Sequence, residues 1–129
     1  MKIEVGYPPN FKEISAVLAP SLRAIFTWGN IIYNPSGTHV TKDLIAHEEV
    51  HERQQGGLPH VWWERYLIDS QFRLQEETEA YARQYQYICS QNTNRNYQFQ
   101  VLQALAMILA SPMYGNLTTI EEAMRLIKA

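Results

Sequence analysis

Two histidines four residues apart, His47 and His51, have the residue type and spacing that most directly indicate chemistry in this sequence. On an α-helix, positions i and i+4 lie on one face about 6 Å apart, so both imidazoles can reach one ion. Neutral imidazole is the commonest metal ligand in proteins, and a catalytic zinc takes three protein ligands. The pair therefore predicts a Zn²⁺ site in which His47 and His51 are two of the ligands.

Glu48 directly follows the first histidine and completes the pattern H-E-x-x-H. Its angle on the helix differs from that of the histidines, so it is not expected to share the ion with them. Its carboxylate can instead take a proton from a metal-activated water and give it to a leaving amine. Glu48 is therefore the predicted catalytic residue, and its neighbour Glu49 has no predicted role.

The residues that flank the pattern fit a site in the middle of a helix. Thr41 can cap a helix N-terminus, and the Gly-Gly pair at 56–57 can end the helix. These signals predict a helix over about residues 42–55, with the histidines in its interior. Gln54 and Gln55 continue the histidine face by one turn, and we expect them to form hydrogen bonds beside the site.

A third metal ligand is expected later in the chain. The metzincin pattern would place a histidine six residues after His51, but Gly57 occupies that position and His60 is out of register. The segment QEETEAYARQY instead offers three glutamates: Glu76, Glu77 and Glu79. Because successive helical residues are rotated by about 100°, only one of the three is expected to face the metal.

With this segment, the chain resembles the gluzincin metallopeptidases, in which the HExxH helix precedes a helix carrying E-x-x-x-D or E-x-x-A-D. Residues 77–80, ETEA, match the E-x-x-A part, and the resemblance selects Glu77 as the third zinc ligand. Tyr81 stands where many members have an aspartate that orients a zinc-binding histidine. Three carboxylates could take that orienting role here: Asp43, Asp69 and Glu79.

The resemblance implies a zinc-dependent peptidase of zincin-like fold that acts on a peptide or protein substrate. The chain also looks like small zincin-like proteins encoded by phages and prophages, over about residues 30–85. In zincins an edge strand holds the substrate extended, and residues 30–34 are the candidate strand, with a plain hairpin arm as the alternative. A donor to the oxyanion is also expected, for which there are four candidates: Tyr33, His60, Tyr81 and Tyr114.

The rest of the sequence predicts an α+β fold in a single domain, residues 1–129. Residues 2–5 suit a short strand, residues 10–18 a helix, and Gly29-Asn30 the turn of a hairpin. Further helices are expected from Pro59, over about 70–89, over 96–110 and after Thr118 or Thr119. We therefore expect a small N-terminal mixed or antiparallel sheet followed by four or five helices, including the HExxH helix and the glutamate-ligand helix.

Composition limits the classes of partner. With 129 residues, 46% of them hydrophobic and 19% charged, the chain is typical of a globular domain. A net charge of -2 without a block of lysines or arginines argues against nucleic acid as a partner. No stretch reaches the ~20 apolar residues of a membrane span, and MKIEVGYPPN lacks the apolar run of a signal peptide. We expect a cytoplasmic protein, in the host cytoplasm if it is phage-encoded.

Two other hypotheses stay open at the level of sequence. A zinc-binding recognition or assembly module would use His47, His51 and Glu77 without turnover. A metal-free helical interaction protein would contain the HExxH pattern by chance. Metal content separates the last hypothesis from the other two.

Overall fold

Three short strands form a mixed sheet in the computed structural model, which describes residues 1–129. β1 (Lys2–Glu4) precedes helix α1 (Phe11–Val17), and β2 (Phe26–Trp28) and β3 (Ile31–Tyr33) form a hairpin. The order in the sheet is β1-β3-β2, with β1 parallel and β2 antiparallel to β3. β2 is therefore an edge strand, whereas β3 is the central strand.

Five α-helices follow the sheet: α2 (Lys42–Gln55), α3 (Pro59–Ile68), α4 (Ser70–Gln91), α5 (Arg95–Leu109) and α6 (Ile120–Lys128). A 3₁₀ turn at Pro112–Tyr114 lies between α5 and α6. The expectation of an α+β fold, with a small sheet followed by helices, is confirmed. None of the helices combines the length and apolar character that crossing a lipid bilayer requires.

Helix α2 begins and ends where the sequence signals place it. Gly56 ends it in the left-handed conformation with φ 55°, a region that glycine enters without a steric penalty. Thr41 occupies the N-cap position, but its side chain makes no capping hydrogen bond, contrary to expectation. The end of the helix is therefore better determined by its sequence than the beginning.

Two hydrophobic clusters surround the helices that carry the candidate ligands. An aromatic cluster joins α1, β2 and α3 through Ile14, Phe26, Trp62, Trp63 and Tyr66. A second cluster joins α4, α5, α6 and the 3₁₀ turn through Tyr81, Leu102, Leu105, Ala106, Leu109, Tyr114, Ala123 and Ile127. The ring of His51 packs 5.2 Å from that of Trp62, and the ring of His47 packs 4.4 Å from that of Tyr81. Each histidine is thus held against a different cluster.

Candidate metal centre

Helices α2 and α4 pack against each other and bring His47, His51 and Glu77, the donor cluster, to one buried point. The Nε2 atoms of the two histidines are 3.2 Å apart. Oε1 of Glu77 is 3.2 Å from Nε2 of His47, and Oε2 is 3.3 Å from Nε2 of His51. A tetrahedral zinc with bonds of about 2.0–2.1 Å keeps its ligand atoms roughly 3.3 Å apart, so these separations fit the ion.

Gln84 on α4 determines which nitrogen of His47 carries a hydrogen. Oε1 of Gln84 is 3.0 Å from Nδ1 of His47, and its amide nitrogen donates to Oδ2 of Asp43 at 2.8 Å. The carboxylate of Asp43 fixes the amide orientation, because a carboxylate can only accept from that nitrogen. An amide oxygen only accepts, so Nδ1 of His47 carries the hydrogen and the Nε2 lone pair of the neutral ring faces the donor cluster.

Gln54 on α2 gives His51 the same arrangement. Its Oε1 is 2.8 Å from Nδ1 of His51. Its amide nitrogen donates to the main-chain oxygen of Glu76 at 3.1 Å and to Oε1 of Glu79 at 2.9 Å. Two acceptors therefore fix this amide, and in the neutral ring the Nε2 lone pair of His51 also faces the donor cluster. Two lone pairs and a carboxylate that converge in this way form a set of donors suited to a cation.

The two oxygens of Glu77 have different surroundings. The hydroxyl of Tyr66 donates to Oε2 at 2.6 Å, whereas Oε1 is buried and accepts no hydrogen bond. Burial opposes ionisation, but His51 and His47 outweigh it and hold the pKa of Glu77 well below its usual range. An ionised, buried oxygen without a donor costs free energy that a bound metal ion would recover.

Glu77 also acts on the histidine opposite it. Burial by itself lowers the pKa of His51. The charge of Glu77 and its hydrogen bond, together with Glu48 and Gln54, outweigh burial and raise that pKa to about 9 in the metal-free chain. The donor cluster therefore attracts positive charge strongly.

Glu48 lies beside the donor cluster without belonging to it. Its Oε2 is 3.5 Å from Nε2 of His47, and its Oε1 accepts a hydrogen bond from the hydroxyl of Thr27 at 3.0 Å. Burial raises the pKa of Glu48, against the opposing effect of the two histidines. A buried carboxyl whose pKa is raised in this way is suited to take up and return a proton.

A small chamber and a larger cleft adjoin these residues. The chamber has a volume of about 60 Å³, room for a few water molecules, and its polar lining includes Thr27, His47, Glu48, His51, Tyr66 and Glu77. The cleft has a volume of about 480 Å³, and six residues line both it and the chamber: Ala24, Ile25, His47, Glu48, Met113 and Tyr114. Glu48 therefore lines both cavities.

The other two glutamates of the QEETEAYARQY segment face away from the donor cluster. Oε1 of Glu76 accepts a hydrogen bond from the indole nitrogen of Trp62 at 2.9 Å. Glu79 forms an ion pair with Arg53 on the surface. Of the three, only Glu77 lies in the donor cluster.

None of the three carboxylates that could orient a histidine does so directly, because each Nδ1 contacts a glutamine instead. Asp43 acts on His47 only through Gln84. Asp69 caps α4 by accepting from the main-chain nitrogen of Phe72 at 3.0 Å, at the far end of the helix from Gln84. Gln84 lies seven residues after Glu77, which is about two helical turns, so the two residues share one face of α4. This spacing could have identified Gln84 from the sequence.

Two of the four oxyanion candidates lie at the site. The hydroxyls of Tyr81 and Tyr114 are 2.7 Å apart, and both residues line the cleft. Burial raises the pKa of both tyrosines, so both hydroxyls keep their protons at neutral pH. His60 is exposed in a separate groove, and Tyr33 lines neither the chamber nor the cleft.

Residues 30–34 cannot hold a substrate strand, because both edges of β3 are already paired. Of the two edge strands, β2 is the one that contacts Glu48, through Thr27, and Gln55 covers part of its free edge. The amide nitrogen of Gln55 donates to the oxygen of Thr27 at 2.8 Å, and its amide oxygen accepts from the nitrogen of Gly29 at 2.8 Å. The main-chain groups of Ile25, just before β2, make no hydrogen bond. The open part of this edge is therefore at Ile25.

Comparisons with known proteins identify no relative: no protein-family model, no curated protein and no solved structure matches the chain. Its function is therefore inferred from the geometry of this site.

Proposed function

We propose that the chain is a zinc-dependent peptidase of gluzincin type with a zincin-like fold. His47, His51 and Glu77 would hold Zn²⁺, and Glu48 would act as general base and then general acid. The observation that carries the proposal is the convergence of two Nε2 atoms, 3.2 Å apart, with a buried Glu77 oxygen that has no hydrogen-bond donor. The glutamine contacts support it, because they leave both Nε2 lone pairs free for a cation.

The number of protein ligands at the donor cluster fits a catalytic zinc better than a structural one. Structural zinc sites are closed by four protein ligands, whereas catalytic sites have three and leave a position open. The donor cluster has three members, and the chamber beside it has room for water. Bound zinc would supply a Lewis acid that polarises a carbonyl group and makes water more acidic.

Glu48 is placed to move the proton. The hydrogen bond from Thr27 engages Oε1, so Oε2, the oxygen nearer His47, remains to accept a proton from the attacking water. The same oxygen then returns the proton to the amine nitrogen of the scissile bond as that bond breaks. Thr27 thus acts as a positioning residue that holds the carboxylate in place.

Tyr114 is the proposed donor to the oxyanion that forms on the substrate. It lines both the chamber and the cleft, and its hydroxyl is paired with that of Tyr81. If Tyr81 donates to Tyr114, the proton of Tyr114 is free for the substrate oxygen. The main-chain N–H and C=O of Ile25 would hold the extended substrate beside these groups.

Replacement of one carboxylate oxygen tests the catalytic part of the proposal. Glu48→Gln keeps the size of the side chain but removes the proton acceptor. It should retain bound zinc and lose peptide cleavage by roughly 10²–10⁴-fold. The matched control is Glu49→Gln, which changes the exposed neighbouring residue and should cleave normally. Cleavage of a peptide mixture, followed by mass spectrometry, is the measurement; full cleavage by Glu48→Gln would rule out this mechanism.

A zinc-binding recognition module is the second candidate, favoured by the burial of the donor cluster. His47, His51 and Glu77 are only 4%, 5% and 3% exposed. Such a module would bind zinc and peptides but cleave none. Wild-type protein that retains zinc and leaves every peptide of the mixture intact would favour this candidate over the peptidase.

A further inference from the structure

An apolar wall lines the cleft that leads to Glu48. Five aliphatic or thioether side chains form it: Leu44, Leu105, Met107, Ile108 and Met113. Met107 is 57% exposed and Ile108 is 41% exposed, although both are large and apolar. Large apolar side chains grouped at the surface beside a cleft are typical of a binding surface.

Charged side chains are scarce around the same cleft. Besides Glu48, the only Asp, Glu, Lys or Arg among its lining residues is the exposed Arg23. Residues 96–120, which include most of α5 and the 3₁₀ turn, contain no Asp, Glu, Lys or Arg. The apolar wall itself offers a charged group no partner, so a charged group that enters it loses water at a cost in free energy, and Arg23 is the one cation among the lining residues.

The open main-chain groups of Ile25 show where a peptide would lie. Ile25 lines the cleft as well as the chamber, so a peptide bound to it runs past Glu48. Side chains of an extended peptide alternate in direction. One of them, adjacent to the bond nearest Glu48, would then enter the cleft and meet Met107, Ile108 and Met113.

We propose that this cleft is a specificity pocket for an uncharged, large apolar side chain, of the class of leucine, methionine or phenylalanine, next to the scissile bond. The inference rests on the proposed function, because it takes the occupant to be a peptide substrate. The two methionines fit a pocket that accepts several apolar shapes, since the unbranched thioether side chain adapts to its neighbour. Met107 and Ile108 are then specificity-determining residues.

Binding, measured without turnover, tests the pocket. The probes are short alanine-based peptides, labelled with a fluorophore, that carry one central leucine, aspartate or lysine. Zinc-loaded Glu48→Gln protein should bind the leucine peptide roughly tenfold or more tightly than the other two, by fluorescence anisotropy. Ile108→Lys should weaken binding of the leucine peptide and strengthen binding of the aspartate peptide.

Ile68→Lys is the matched control, because Ile68 is 81% exposed and lines a different groove. It should leave all three affinities unchanged. Equal affinities for the three peptides, no binding of any of them, or an unchanged order in Ile108→Lys would each overturn the inference. A leucine preference in binding, with no cleavage by the wild-type protein, would instead overturn the peptidase proposal and leave the pocket standing.

Discussion

The two histidines of the donor cluster have the same kind of support in different surroundings. The support of His47 is Gln84, which is 4% exposed and is held by Asp43. The support of His51 is Gln54, which is only partly buried and is held by Glu79 at the surface. Each glutamine accepts a hydrogen bond from Nδ1 of its histidine through Oε1. The two hydrogen bonds are therefore of the same type, and they differ only in how easily water reaches them.

Because of this difference in burial, loss of Gln84 should cost more free energy than loss of Gln54. Where water is excluded, removal of one hydrogen-bond partner leaves the other unsatisfied, at about 1–3 kcal/mol. Where water enters, a solvent molecule can replace the lost amide at little cost. We therefore expect the His47 side to determine metal affinity more strongly than the His51 side.

Loss of Glu77, which contacts both histidines, should lower zinc affinity the most. Glu77→Gln removes the charge opposite both imidazoles, and zinc affinity should fall by more than the roughly 10–100-fold cost of losing an outer partner. Competition with a chromophoric chelator measures this affinity. Glu76→Gln is the control, because Glu76 bonds Trp62 instead; an equal loss there would show that the wrong glutamate has been assigned.

Gln84→Leu should have the next largest effect and tests the buried side. It removes the acceptor of Nδ1 of His47 and leaves Asp43 without its partner, so zinc affinity should fall roughly 10–100-fold. Gln84→Glu restores an acceptor for His47 but places a second carboxylate beside Asp43. Unchanged affinity in the leucine variant would show that Gln84 does not orient the histidine.

Gln54→Leu tests the solvent-accessible side and should cost less than Gln84→Leu. Water can reach Nδ1 of His51 in this variant, so we expect a loss of roughly tenfold or less. The same chelator competition, run on both variants in parallel, gives the ratio directly. A larger loss for Gln54→Leu than for Gln84→Leu would contradict the comparison.

Arg53→Ala should change zinc affinity the least of these variants. The ion pair of Arg53 with Glu79 joins side chains that are 64% and 47% exposed, and exposed pairs contribute little to stability. Zinc affinity should change by less than about threefold, because Gln54 still accepts from His51 through the same oxygen. A tenfold loss would show that the surface pair holds Gln54 in place.

The elements near the site follow from local signals in the sequence. The start of α2 near Thr41 and its stop at Gly56 depend on neighbouring residues, and the placement of His47 and His51 on one face follows from helix geometry. The α+β class follows from the same kind of signal. These features need no knowledge of how the elements pack.

Features that depend on how distant elements pack together could not be predicted from local sequence signals. In the strand order β1-β3-β2, β1 pairs with β3 although α1 and β2 lie between them in the chain. No local signal predicts this pairing, so residues 30–34 could not be recognised as the central strand. Thr27 reaches Glu48 from another element, and no local pattern links the two. Gln84 lies at helical spacing from Glu77, but an amide side chain carries no metal-ligand signal of its own.

Zinc content shows directly whether the donor cluster binds a metal ion. Protein purified without chelators, equilibrated with a slight excess of zinc and desalted, is analysed by mass spectrometry of the metal, beside His47→Ala treated identically. If the donor cluster holds the ion, the wild-type chain retains about one zinc and the variant retains almost none. A wild-type chain that emerges metal-free, or a variant that retains as much zinc as the wild type, would contradict the assignment.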